Sequence, residues 1–173
     1  MKLHDINTAP VEVKGGQAIN LQMDTTSAIG FSLSIDKLYT HKIESVIREI
    51  CSNARDSMIS AGRGEIPFEV FLPSVLSPYL VIKDTGLGLS KEDAITYLST
   101  LYKSTKTNEN QSVGSYGIGS KSPFAISDSY NIETIKDGRK CAFQFFRSGR
   151  SLPQLMLLNE VDTDEPNGVT FRI

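Results

Sequence analysis

The segment "REICSNARDSM" (48–58) places Glu49, Asn53 and Asp56 at i, i+4 and i+7 of a run that otherwise has helical periodicity. At 3.6 residues per turn the three fall on one line. That line is rotated by roughly 130° from an apolar stripe of Ile43, Val46, Ile47, Ile50 and Ala54. Three oxygen-bearing side chains in a row could hold a hydrated divalent cation and a water. They could equally form a solvated outer face, which Glu, Asn and Asp compose without further cause. Asn and Asp are mediocre helix formers, so their choice inside a helix asks for a reason.

Two glycine-bearing motifs follow. In "IKDTGLGLS", Asp84, Gly86 and Gly88 come directly after an apolar strand-like run. A carboxylate at a strand end can accept a hydrogen bond from an exocyclic amine, and glycines let a ligand approach the backbone. A plain Asp-x-Gly turn leaving a strand fits the same residues. In "GSYGIGSKSPF", Gly114, Gly117 and Gly119 would expose backbone N–H groups that attract phosphate, or would form a flexible surface loop. The segment is not a Walker A loop: after Gly114 and Gly119 the next residues are Ser120-Lys121-Ser122, one position out of register. It is not a dinucleotide fingerprint either, because position 122 is serine where that pattern needs glycine.

Elements must position these groups. The periodicity predicts a helix over about 40–60, broken by "AGRGEIP". "AIGFSLSID" (28–36), "FEVFL" (68–72) and "YLVIK" (79–83) read as strands. Ser90 predicts a helix N-cap, with Asp93 at the capping-box position and a helix running to about Leu101. "YNIETI", "CAFQFF", "QLMLLNEV" and "GVTFRI" read as strands, the first two joined by a "KDG" hairpin turn at 136–138. Helices and strands do not alternate as βαβ units. The late run of strands predicts an α+β fold: a two-layer sandwich with a mixed sheet and helices on one face. The polar stretch 102–116 has little to bury beyond Tyr102, Val113 and Tyr116, and is expected to order only on a ligand, as a lid.

Composition removes other readings. The 173 residues carry a formal net charge of −2, so no basic field draws the chain to nucleic acid or anionic lipid. No apolar run approaches the ~20 residues of a membrane span, and the N-terminus lacks a signal-type apolar core. Cys51 and Cys141 form no CxxC pattern, and Cys51 beside apolar helix positions reads as a buried reduced thiol. His4 and His41 have no partners at metal-ligand spacing, and no GxSxG elbow is present. A cytoplasmic protein is the expectation.

Taken together and in order, "EICSNARDS", "DTGLGLS" and "GSYGIGS" resemble the three boxes of the GHKL ATPase superfamily, which shares the Bergerat nucleotide fold. That superfamily contains gyrase B, Hsp90, MutL and the histidine kinase catalytic domains. The resemblance spans about 40–173. The wording of "LYTHKIESVIREICSNARDS" and "GSYGIGSKSPFAISDSY" is also similar to the N-terminal region of phage rIIA lysis-inhibition proteins.

The resemblance implies one ATP-binding domain over 1–173, belonging to a longer protein or to a single-domain relative. It implies ATP and Mg²⁺ as ligands, with Glu49 as the general base that orients the attacking water. Asn53 would be the Mg²⁺ ligand and Asp56 a hydrogen-bonding support. Asp84 would read the adenine amine beside Gly86 and Gly88, with Leu89 against the base where many members carry methionine. Gly114, Gly117, Ile118, Gly119 and Ser120 would wrap the phosphates, with Lys103 and Lys121 as further phosphate contacts. Thr170 resembles the late threonine that bonds the adenine-side water, although in this chain Val169 intervenes between it and the glycine. The activity implied is slow ATP hydrolysis driving a lid and a nucleotide-dependent homodimer, with a downstream domain or partner undefined. A non-hydrolysing nucleotide-binding regulatory module is the alternative. A protein kinase of the histidine-kinase type is disfavoured, since those members carry asparagine at the position of Glu49, and His41 lies about three helical turns from the phosphate end.

Overall fold

A computed structural model describes residues 17–20, 40–99, 119–147 and 153–173. The expected strand at 28–36 and the expected lid at 102–116 lie outside these residues.

Helix α1 spans Lys42–Ser60. Val46, Ile50, Ala54 and Met58, one turn apart in sequence, are buried along one side, so the apolar stripe continues past the predicted Ala54. It does not begin at Ile43, which is 63% exposed. The helix ends as its sequence dictates. Gly62 takes φ +70, its N–H reaches Ile59 O at 2.9 Å, and Arg63 N–H reaches Met58 O at 2.8 Å. This is the glycine-dependent closure that satisfies the last carbonyls of a helix. The second helix, α2, spans Lys91–Ser99, and Ser90 caps it as predicted: its Oγ accepts from Asp93 N–H at 3.1 Å and donates to Asp93 Oδ2 at 2.8 Å. A short 3₁₀ segment, Gly119–Ala125, packs across α1.

Seven strands lie among the described residues: β1 Gln17–Asn20, β2 Glu69–Phe71, β3 Val81–Lys83, β4 Ser129–Lys136, β5 Arg139–Phe146, β6 Gln154–Asp162 and β7 Gly168–Arg172. Their order in one sheet is β1-β6-β5-β4-β7-β3-β2. The predicted α+β sandwich is found, with one correction: every described pairing is antiparallel, where a mixed sheet was expected. Hairpin connections such as β4–β5 enforce that arrangement, because a two-residue turn can only reverse the chain. Asp137 (φ 50) and Gly138 (φ 80) form this turn at the predicted place.

The core lies between the helices and one face of the sheet. Val46, Ile50 and Ala54 of α1 and Ala94 and Leu98 of α2 meet Ile82, Ile132, Phe143, Leu155 and Phe171 from the strands. Phe124 brings the 3₁₀ segment into this layer, with ring centroids 5.0 Å from Tyr130 and 5.5 Å from Phe145. Tyr130 is fully inside, and its hydroxyl donates to Ser120 O at 2.7 Å, so its polar end is satisfied. Cys51 and Cys141 are both free thiols; Cys51 is half-buried where a buried thiol was expected, Cys141 is buried, and burial pushes each up from its ordinary value.

Candidate functional site

Between α1, α2 and the strands β3, β4 and β7 lies a cavity of about 330 Å³. That is within the size range of small-ligand pockets, which are mostly apolar with a few placed polar groups. Ile82, Leu89, Ile132, Val169 and Phe171 supply apolar walls, and Asn53, Asp56, Ser57 and Asp84 supply the polar groups. The helix faces the cavity with part of both stripes, so Asn53 and Asp56 are not a solvated exterior: both are half-buried and line the hollow.

Asp84 follows the last residue of β3 and is 6% exposed. Gly86 N–H donates to its Oδ1 at 2.8 Å, and Ser57 Oγ donates to the same oxygen at 3.2 Å. Burial pushes this carboxyl up from its ordinary value. The Gly86 N–H, the Ser57 hydroxyl and the Val169 N–H pull the other way by stabilising the charged form. Since the Gly86 and Ser57 hydrogen bonds both fall on Oδ1, Oδ2 keeps the capacity to accept from a ligand.

The turn after Asp84 is fastened from three sides. Ser57 accepts Leu87 N–H at 3.1 Å, Lys136 Nζ donates to Leu87 O at 3.0 Å, and Thr134 Oγ1 accepts Leu89 N–H at 2.7 Å. Thr134 also donates to Leu89 O at 3.0 Å, and its residue is 1% exposed. Leu89 is thereby held in the cavity wall. The glycines have another reason than expected. A Cβ on Gly86 would fall on Ser57 of α1, and one on Gly88, whose φ is +63, would fall on the Ile135 carbonyl. What approaches Gly86 is the protein's own helix; Gly88 alone of the two lines the cavity.

The first and third motifs meet at the other end. A Cβ on Gly119 would come within 3.0 Å of Glu49 Oε2 and 3.4 Å of Asn53 Nδ2. The start of the 3₁₀ segment therefore lies directly over Glu49 and Asn53, one helical turn apart on α1. Arg48 stands 3.7 Å from Glu49 Oε1, at an exposed position where such a pair contributes little. Among the described residues no three His, Cys, Asp or Glu side chains gather as a metal cage. The Asn53 carboxamide one turn from the Glu49 carboxylate suits Mg²⁺, which keeps several waters and takes few protein ligands beside substrate phosphates.

Three expected residues are placed elsewhere. Thr170 registers with Lys83 and Glu133, so it projects from the sheet face opposite to Val169 and Phe171. It lines a separate hollow of about 160 Å³ with Lys83, Glu133 and Lys140. Lys121 is fully buried: its Nζ donates to Tyr97 O at 2.7 Å and lies 5.0 Å from the Tyr97 ring centroid. The 3₁₀ turn directs it into the core, onto Tyr97, and desolvation pushes its ammonium down to about 7. Ser120 is likewise fully buried, under the Tyr130 hydroxyl. Lys103, Gly114, Gly117 and Ile118 lie outside the described residues.

Sequence reasoning passed over Ser57 and Thr134. Each carried a signal: Ser57 is a polar residue three positions after Ala54 on the apolar stripe, and Thr134 continues the inward alternation of Tyr130 and Ile132.

Residues 39–158 match the family model described as histidine kinase-, DNA gyrase B-, and HSP90-like ATPase. The chaperone protein HtpG of Borrelia garinii subsp. bavariensis is 28% identical over 150 residues, covering 75% of this chain and 24% of that protein. HtpG of Aliivibrio fischeri is 29% identical over 154 residues, covering 76% and 23%. HtpG of Aliivibrio salmonicida is 30% identical over 125 residues, covering 59% and 20%. The chain thus spans about a quarter of the length of these relatives. No described helix is long and apolar enough to cross a membrane.

Proposed function

The chain belongs to the histidine kinase-, DNA gyrase B- and HSP90-like ATPase family, and from that premise we propose that it binds Mg²⁺–ATP in the cavity beside α1 and hydrolyses it slowly. The observation that carries this reading is that Asn53 and Asp56 of the first motif and Asp84 and Gly88 of the second line one hollow, while Gly119 of the third lies over Glu49 and Asn53.

The adenine amine donates to Asp84 Oδ2, while Ile82, Ile132, Val169, Phe171 and Leu89 remove the base from water. The phosphates then run along α1 toward Gly119. Mg²⁺, which Asn53 Oδ1 would hold, neutralises phosphate charge when bound. Glu49 accepts the proton of the water that attacks the γ-phosphorus, and the bond from that phosphorus to the β–γ bridging oxygen breaks to leave ADP and phosphate. Asp56, half-buried one turn past Asn53, supports the polar line. A glutamate at this position supports hydrolysis over phosphate transfer to a histidine.

Residues 1–173 act in this reading as a single ATP-binding unit whose nucleotide state controls pairing with a second copy. The similarity to phage rIIA lysis-inhibition proteins supports placing the switch in a phage-encoded protein of the host cytoplasm. The test is a titration of the protein with ATP, with and without Mg²⁺, alongside phosphate release at several protein concentrations. Mg²⁺-dependent binding with slow release is the expected result. Absence of binding in both conditions contradicts the proposal.

A further inference from the structure

Ser57 follows Asp56 on α1, but its hydroxyl serves the opposite end of the cavity from Glu49. Its Oγ accepts Leu87 N–H at 3.1 Å and donates to Asp84 Oδ1 at 3.2 Å. A hydroxyl has a single proton, and with Leu87 N–H filling an acceptor position that proton is committed to the carboxylate. Gly86 N–H reaches the same oxygen at 2.8 Å. Two donors on Oδ1 favour an ionised Asp84, and an ionised carboxylate can only accept. The ligand group facing Oδ2 must then be a donor, such as the amine of an amino-purine.

The neutral acid would reverse this choice. With Oδ1 occupied by two donors, its proton would sit on Oδ2, where it would donate to the carbonyl of an oxo-purine. Burial drives Asp84 toward that neutral form, and the hydrogen bonds oppose it. Of the two donors within 3.2 Å, the Gly86 amide is part of the backbone, so Ser57 is the one that a substitution can remove. The contact is tight as well: a Cβ at Gly86 would fall on Ser57, so the hydroxyl has little room to take another direction.

We propose that Ser57 is a specificity-determining residue, holding Asp84 as an acceptor so that the cavity takes amino-purine and rejects oxo-purine nucleotides. This rests on the nucleotide-binding reading above. Ser57 acts through Asp84 and the Leu87 turn and is a positioning residue, not a catalytic one.

The experiment compares affinity for ATP and for inosine triphosphate in the wild-type protein, in Ser57→Ala and in Ser57→Cys, each checked for folding by circular dichroism. Wild type prefers ATP. Ser57→Ala narrows the ATP-to-inosine-triphosphate ratio about tenfold, the scale of one hydrogen bond to a charged group. Ser57→Cys, similar in size and a weaker donor, gives an intermediate ratio and covers the case in which the alanine variant does not fold. An unchanged ratio in both variants overturns the assignment, whether the two affinities stay put or fall together, since a merely structural role weakens both nucleotides alike. If the wild type binds neither nucleotide, the nucleotide reading itself fails. If it binds ATP and the ratio does not move, only the role of Ser57 fails.

Discussion

The two ends of the cavity are built differently. At the end proposed for the base, Asp84 is almost wholly enclosed, accepts hydrogen bonds from Gly86 and Ser57, and heads a turn fastened by Ser57, Thr134 and Lys136. At the end proposed for the phosphates, Glu49 and Asn53 are half-buried, with the Gly119 backbone laid over them and Arg48 beside Glu49. A recognition group gains from rigidity, because a fixed acceptor loses no entropy when the ligand arrives. A general base must reach a water and a phosphate that come with the substrate, so its geometry tightens only in the complex. The contrast predicts that base-end substitutions act on affinity and phosphate-end substitutions act on turnover.

The largest effect that would sharpen this contrast is on turnover. Glu49→Ala should lower phosphate release by about 10²–10⁴-fold, the usual contribution of a general base, with ATP affinity within about threefold of wild type. A variant that loses affinity and turnover in parallel would erase the distinction between the two ends. A smaller effect belongs to Asn53→Ala. The enhancement of ATP affinity by Mg²⁺ should fall about tenfold, because a cation with few protein ligands is sensitive to the loss of one, while Mg²⁺-independent binding stays near wild type. Equal Mg²⁺ enhancement in both proteins would return Asn53 to the category of surface residues.

The smallest effect concerns Lys121, which the sequence assigns to the phosphate end and the structure puts in the core. Its ammonium, pushed down to about 7 by desolvation, is ordinary when unfolded, near 10.5. Between those values the unfolded chain binds the extra proton, so stability rises with pH across that window and is lost as pH falls through it. The melting temperature of wild type, measured against Lys121→Met from pH 7 to pH 9.5, should rise by several degrees more, and the variant's ATP affinity should change by less than about threefold. Parallel melting curves together with a large loss of ATP affinity would move Lys121 back to the phosphates.

What the sequence revealed depended on how local the cause was. The Ser90 cap, the Asp137–Gly138 turn and the end of α1 at Gly62 were legible because each is decided within a few residues. Asp84 alone left a turn and a ligand contact both open, and its burial in the cavity wall was decided by the packing of α1 against the turn. Thr170 was misplaced by a single step, and in a strand one step changes the face, so register with Lys83 and Glu133 decided what spacing could not. Lys121 was misread because a lysine beside a glycine-rich loop suggests phosphate, whereas the 3₁₀ turn directs its side chain onto Tyr97. Gly86 and Gly88 were found in the right motif for a different reason, since tertiary packing of α1 and β4 against the turn leaves no room for a side chain.

Calorimetric titration of ATP and ADP into Asp84→Asn asks whether the prebuilt Asp84 end recognises adenine. An amide there can turn a donor toward the base amine, and its loss of charge removes a charge-assisted bond. Affinity for both nucleotides should fall by about 100-fold or more while circular dichroism and the melting temperature stay close to wild type. ATP and ADP binding to a folded Asp84→Asn protein with wild-type affinity would contradict the assignment of this cavity to the adenine base.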